Sequence, residues 1–355
     1  MSKKHTVALD CMGGDKAPHS VIDGAQIIAK ANPEIHFLLF GDSAKITPIL
    51  QNCPHLKSRH TLIHTEEFIS ADEKPSTALR KGTKSSMRLA INAVKDGEAD
   101  IAVSAGNTGA LMAISKIVLR TLPSIDRPAI VTAIPNQKKT ATVLLDMGAN
   151  VECGPDVLFQ FAVMGHAFAR VVLKVEEPTI GILNVGSEDL KGSDSVKNAA
   201  ILLKDSDLKD SFYGYVEGDD ILKGTVDVVV TDGFTGNITL KAIEGTAKLL
   251  SSLVKEGFKS SLVSKIGYLL AGNSIRNATK TMDPRLHNGA MLVGLNGVVV
   301  KSHGGTDALG FSNAIRVAIS LVENKINERI TEELRVSSSI TSNNDAEEKL
   351  SSHGN

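Results

Sequence analysis

The stretch V-V-V-T-D-G-F-T-G-N-I-T-L-K-A, residues 228–242, carries the reading of the fold. Val228, Val229 and Val230 suit a strand buried on both faces, and Ile238, Leu240, Ala242 and Ile243 suit the helix that would follow. Between them stand Asp232, Gly233, Thr235, Gly236 and Asn237. Such a junction is either a tight turn or a cradle in which backbone N–H groups and short hydroxyls meet a ligand.

The same punctuation recurs along the chain. Short apolar runs at residues 6–9, 37–40, 101–103, 129–134, 141–145, 180–185 and 227–230 alternate with helix-like stretches. That alternation predicts an α/β architecture, a mostly parallel sheet with helices on both faces. Ligands of such sheets lie beyond the carboxyl ends of the strands, and the informative residues fall there. Asp10, Gly13, Gly14 and Asp15 follow the run at 6–9, and Ser104, Gly106, Asn107 and Thr108 follow that at 101–103. Asp146, Gly148 and Asn150 follow 141–145; Asn184, Gly186, Glu188 and Lys191 close the series at 180–185. All of these tips are expected on one edge of one sheet, around a shared phosphate or nucleotide site. Asn296-Gly297 between two apolar arms predicts an antiparallel hairpin at the sheet edge. A helix is expected from residue 307 to about 330.

With 355 residues, 42% of them hydrophobic, the chain can bury a substantial core. Residues 1–336 read as a single α/β catalytic domain that includes a helical amphipathic segment at about 247–285. Residues 337–355, rich in Ser, Asn and charge, read as a disordered tail. The 39 basic and 40 acidic side chains nearly cancel, which argues against a general nucleic-acid binder. Cys11, Cys53 and Cys153 have no metal-like spacing and fit reduced thiols in a cytoplasmic protein. Residues 1–5 lead directly into the first strand and leave no room for a secretory signal. Apolar runs such as that at 289–295 fall far short of the roughly 18 residues of a spanning helix, so membrane contact is expected to be peripheral.

No G-x-G-x-x-G follows the first strand, and no P-loop, H-E-x-x-H or G-x-S-x-G motif occurs, so no cofactor, metal or protein nucleophile is implied. Lys191 in N-V-G-S-E-D-L-K-G reads equally as a phosphate clamp and as a solvated partner of Glu188 or Asp189. His303 in K-S-H-G-G reads as a proton donor or as a histidine closing a strand. Arg80, Lys84 and Arg88 recur every four residues, a basic stripe if the segment is one helix, with Gly82 as a weak point. Residues 247–271 carry apolar positions at helical spacing beside Lys248, Lys255, Lys259 and Lys265. They fit two amphipathic helices packed in the body or on a second subunit, or lying on anionic lipid.

Taken in order, A-L-D-C-M-G-G-D-K-A-P, S-A-G-N-T-G-A-L-M, L-L-D-M-G-A-N, N-V-G-S-E-D-L-K-G, Y-V-E-G-D-D-I, T-D-G-F-T-G-N and H-N-G-A-M-L-V-G-L-N-G-V-V-V-K-S-H-G form a specific set. With this set the chain resembles the phosphate acyltransferase family of phospholipid synthesis, often called PlsX, over about residues 6–330. The resemblance implies a three-layer α/β/α fold similar to isocitrate and isopropylmalate dehydrogenases. It also implies a homodimer associated with the inner membrane surface. The implied reaction moves a long acyl chain from acyl carrier protein to inorganic phosphate, giving the acyl phosphate that feeds an acyl-phosphate:glycerol-3-phosphate acyltransferase. The family's functional lysine matches Lys191. Two segments differ from the family pattern: Lys81-Gly82-Thr83-Lys84, where a denser basic run is common, and Gly305-Thr306-Asp307 after His303-Gly304. Acetyl- or butyryl-phosphate transferases on coenzyme A thioesters, metal-dependent decarboxylating dehydrogenases and a membrane scaffold remain the alternative readings. Acyl-chain preference and the carrier-docking face are not legible.

Overall fold

The structure, a computed structural model, describes residues 5–279, 283 and 285–335; the expected tail at 337–355 lies outside them. The strands are β1 (His5–Asp10), β2 (Ile35–Gly41), β3 (His60–His64), β4 (Ile101–Ser104), β5 (Ala129–Pro135) and β6 (Ala141–Leu145). They continue as β7 (Ile180–Leu183), β8 (Phe212–Val216), β9 (Val228–Val230), β10 (Ala290–Val293) and β11 (Val298–Lys301). The helices are α1 (His19–Ala31), α2 (Ser43–Leu50), α3 (Pro75–Lys81), α4 (Ser86–Lys95), α5 (Thr108–Leu119) and α6 (Pro155–Val172). After them come α7 (Asp194–Lys204), α8 (Gly218–Lys223), α9 (Gly233–Lys259), α10 (Leu262–Thr279) and α11 (Ala308–Glu323).

All the strands join one sheet in the order β3-β2-β1-β4-β11-β10-β5-β6-β9-β7-β8. Alternation along each strand feeds two cores. Val7, Leu9, Val228 and Val230 face a layer with Ile22 and Ile28 of α1, Phe161 and Phe168 of α6 and Phe311 of α11. Ala8 faces Met87 and Ala90 of α4 and Leu111 of α5, while Val229 faces Ile221 of α8. The valine run at 228–230 is thus covered on both sides, as its composition requires.

The direction of the strands departs from expectation. β1, β2, β3, β4 and β11 are mutually parallel. β10 is antiparallel to both β11 and β5, and β5 is antiparallel to β6. β6, β9, β7 and β8 are again mutually parallel, but they run against the first group. The Asn296-Gly297 hairpin is therefore antiparallel as read, yet it lies inside the sheet between β4 and β5 rather than at its edge. Periodicity reports a hairpin; it does not report what pairs with the hairpin's outer faces.

Two helical expectations also change, and a third is met. The run toward residue 330 is broken where α11 ends at Glu323 and Lys325 takes φ 52°. Arg80 lies in the last turn of α3, which stops at Gly82, whereas Arg88 lies in α4, which opens on the Ser85 cap. Lys84 sits in the link, so no single helix carries a basic stripe. Residues 247–271 do form two helices, α9 and α10, joined by the Phe258–Tyr268 ring contact at 5.0 Å. The opening turns of α9, with Leu240 and Ile243, pack on the body. Leu249, Leu253, Leu262, Leu269 and Leu270 beyond them are exposed.

Phe311 is fully buried between α11 and α1, with Gly24 close against it. Phe311→Ala should lower stability by about 3–5 kcal/mol through the cavity it leaves, read as an earlier denaturant midpoint.

Candidate active site

Two carboxylates organise the strand tips, one in each half of the sheet. Asp10 ends β1 and is buried; its oxygens accept from Ser86 Oγ at 2.6 Å and Ser104 Oγ at 2.7 Å, and from the Met12 N–H. Ser104 Oγ in turn accepts the Gly106 N–H at 3.0 Å. Burial pushes the Asp10 carboxyl up from the usual carboxylate range, against the pull of these hydrogen bonds. A methyl group at Gly13 would lie 2.4 Å from an Asp10 oxygen, so the loop closes this tightly only with glycine there. The Asp15 N–H donates to the Gly304 carbonyl at 2.9 Å, which ties the β1 tip to the β11 tip.

The β11 tip holds a residue that pattern reading passed over. Lys301 Nζ donates to the Ala105 and Ser302 carbonyls, with Asp10 and Asp15 as the nearest charges. Desolvation outweighs those carboxylates and lowers its amine to about 8. The apolar run V-V-V closed by a lysine at the strand end was the available signal, since a charge extending a buried strand must be accounted for. His303 is exposed, and its Nδ1 accepts the Gly305 N–H at 3.1 Å. With Nδ1 accepting there, Nε2 is the ring nitrogen left to donate a hydrogen bond.

In the other half, Asp146 follows β6 and is fully buried. It accepts from the N–H groups of Ile130, Gly148, Ala149 and Asn150 and from Asn150 Nδ2, and burial raises its carboxyl too. The Gly233 N–H donates to the Asn150 carbonyl at 2.7 Å. Asp232 caps α9 by accepting from the Thr235 N–H and Oγ1, both at 2.8 Å. Asn237 lies over Gly148, partly exposed, and its side-chain amide bonds no described residue. The neighbouring β7 tip is a closed loop: Asn184 Nδ2 donates to the Gly186 and Lys191 carbonyls. Lys191 Nζ, half exposed, pairs with Glu188 at 2.8 Å, which raises the ammonium's pKa and lowers the carboxylate's. An open cavity of ≈410 Å³ adjoins this loop, lined by Ser187, Asp189, Lys204, Lys209 and residues of β8.

The expected single constellation is thus two. The Asp10–Asp15, Ser104–Thr108 and Lys301–Gly305 tips gather at one sheet edge. The Asp146–Asn150, Asp232–Asn237 and Asn184–Lys191 tips leave by the other, because their strands run the opposite way. No hydrogen bond or ion pair links the two sets among the described residues. Some expected ligand groups are already engaged. The Gly106 and Gly236 N–H groups bond Ser104 Oγ and the Asp232 carbonyl. Asn107 caps α5 and clamps the Ala71 and Glu73 carbonyls. Thr108 is exposed at the start of α5.

Comparison with known proteins identifies this arrangement. Residues 5–329 match the family described as fatty acid synthesis protein. The phosphate acyltransferase of Paramagnetospirillum magneticum is 56% identical over 333 residues, covering 94% of this chain and 95% of that protein. That of Rhodospirillum rubrum is 53% identical over 334 residues, with 94% and 95% covered. The chain belongs to the phosphate acyltransferase family. It is a transferase. The fold is shared with a phosphotransacetylase from Streptococcus pyogenes, at a TM-score of 0.62 and 17% identity over 91% of this chain and 95% of that one. EutD phosphotransacetylase from Staphylococcus aureus gives 0.56 and 18% over 90% and 96%.

Two glycines of this family member's second cluster should respond differently to a methyl group. In Gly236→Ala it would sit 1.9 Å from the Asp146 carbonyl oxygen, fixed backbone, and should cost about 1–3 kcal/mol. In Gly186→Ala it would meet only the movable ends of Glu188 and Lys191, so melting should shift by under about 0.5 kcal/mol while the ammonium is displaced. Lys301 makes a pH prediction. Its amine sits at about 8, below the usual 10.5, so the unfolded chain binds more protons between those values and stability rises with pH across that window. Below about 8 the full burial penalty persists. Denaturation at pH 7 and 10 should show this gain in wild type and its loss in Lys301→Met.

Proposed function

We propose that this chain transfers a fatty acyl group from acyl carrier protein to inorganic phosphate by direct attack of phosphate on the thioester. One observation carries the reading at atomic level. The half-exposed Lys191 ammonium stands on the loop after β7, and the Asn237 amide, which bonds no described residue, lies in the first turns of α9 after the adjacent parallel strand β9. A cation, an amide donor and a helix N-terminus suit an anionic oxygen.

Phosphate is already a nucleophile, so no activated serine or cysteine is required. A phosphate oxygen adds to the thioester carbonyl carbon, and the tetrahedral oxyanion collapses with cleavage of the C–S bond. The proton of hydrogen phosphate ends on the carrier sulfur, which balances the exchange without a covalent enzyme intermediate. Lys191, released from Glu188, would neutralise the charge of phosphate and oxyanion. Asp146, Asp232 and Asn150 hold the tips in place.

The product, a mixed anhydride, suits an acyl-phosphate:glycerol-3-phosphate acyltransferase and so phosphatidic acid synthesis. Cytoplasmic placement with peripheral contact at the inner membrane fits the exposed leucines of α9 and α10, and no described helix is long and apolar enough to cross a membrane. Arg80, Lys84 and Arg88, though split between two helices and their link, remain cations able to meet an acidic carrier protein. The fold shared with phosphotransacetylases supports a second reading, with coenzyme A thioesters as donors.

Purified protein given palmitoyl carrier protein and phosphate should release carrier thiol and form acyl phosphate; thiol release independent of phosphate would reject the reading. Matched palmitoyl-coenzyme A should react more slowly, and the reverse order would favour the second reading. Lys191→Ala should cut kcat/KM by about 10²–10³ with an unchanged circular dichroism spectrum.

A further inference from the structure

The loop after β7 is braced in its backbone and loose in its charges. Asn184 Nδ2 donates to the Gly186 carbonyl at 3.1 Å and to the Lys191 carbonyl at 3.2 Å, and the Lys191 N–H donates to the Glu188 carbonyl at 3.0 Å. Gly192 closes the loop at its far end: it takes φ 95°, and a methyl group there would lie 2.2 Å from Asn184 Oδ1. The backbone that carries Lys191 is therefore held by bonds that do not involve its ammonium.

The ammonium is folded back onto that loop. A methyl group at Gly186 would meet Lys191 Cδ at 2.6 Å, Lys191 Nζ at 2.9 Å and Glu188 Oε2 at 2.6 Å, so the ion pair lies across the Gly186 backbone. Both side chains are open to water, Lys191 at 50% and Glu188 at 60%. A pair this exposed shifts an equilibrium by no more than about fivefold, and the lysine stem is free to turn. Two further carboxylates stand near. Asp189 pairs with Lys204 at 3.9 Å, and Glu217, which follows β8, acts on Lys191 through its charge. Of the three, Glu188 bonds the ammonium, at 2.8 Å.

We propose that Glu188 is a competing counter-ion: it holds Lys191 over Gly186 in the resting chain, inorganic phosphate must displace it to reach the ammonium, and this exchange sets the phosphate affinity. Glu188 is thus a positioning residue that acts through Lys191. It is no ligand of phosphate, since a carboxylate in contact with that anion would repel it. The exchange swaps one anionic oxygen for another on the same ammonium and leaves the braced backbone where it is. The inference rests on the acyl-transfer reading for the use made of phosphate, though not for the pairing itself.

Glu188→Gln keeps the size of the side chain and removes its charge. With palmitoyl carrier protein as donor, it should lower the phosphate KM by about two- to fivefold and leave kcat within about twofold of wild type. In a Lys191→Ala background the same change should leave the phosphate KM unaltered, because the two side chains act as a unit. Asp189→Asn should also leave it unaltered, which separates release of the ammonium from a general loss of negative charge. An unchanged or raised KM in Glu188→Gln, the same decrease in the Lys191→Ala background, or an equal decrease in Asp189→Asn overturns the proposal. A second readout needs no turnover. Inorganic phosphate at constant ionic strength should protect Lys191 from acetic anhydride, followed by mass spectrometry, and the half-protecting concentration should fall by the same factor in Glu188→Gln. Labelling that phosphate does not slow, or equal half-protecting concentrations, also overturns the proposal. The expected shift in protection, found in a protein that forms no acyl phosphate, would retain the counter-ion role and sink the acyl-transfer reading alone.

Discussion

The antiparallel seam formed by β10, β5 and β6 is the constraint on which the molecule's chemistry depends. It reverses strand direction inside an otherwise parallel sheet and sends two families of glycine-bearing tips to opposite edges. A wholly parallel sheet would gather every tip along one edge. Here each half is a parallel unit with its own switch from strand to helix, and the seam decides how the halves face.

Within each half the same device recurs. A buried aspartate, Asp10 or Asp146, collects hydroxyl or amide donors from its own loop and its neighbours. Both carboxyls are pushed up by burial and pulled down by their donors, so each is a fully satisfied polar knot rather than an acid awaiting a substrate. These knots hold the tips in place while a half-exposed lysine and a histidine are presented from loops and an asparagine amide from the first turns of α9.

Family and fold class were legible because they live in local patterns. Short apolar runs ending in glycine, aspartate and asparagine mark strand-to-helix junctions, whose helices α5 and α9 are capped by Asn107 and Asp232. Less legible were the residues whose role depends on a neighbour. Gly236 looked like part of an anion cradle and proves to be the point where α9 touches the Asp146 carbonyl. Asn107 looked like a ligand group and clamps the loop at residues 70–73. Lys301 drew no attention, because its enclosure is made by carbonyls and carboxylates from three separate segments.

The amino-acid order alone indicated nine of the strands, though not β3 or β8, the hairpin at Asn296-Gly297 and the set of motifs shared with phosphate acyltransferases, since each depends on contacts a few residues long. Only the tertiary structure decided where that hairpin inserts, which way β6, β7 and β9 run, and hence which charged groups can meet. Strand direction within a sheet is fixed by pairing between segments more than a hundred residues apart, such as β5 with β10, and no local propensity encodes it.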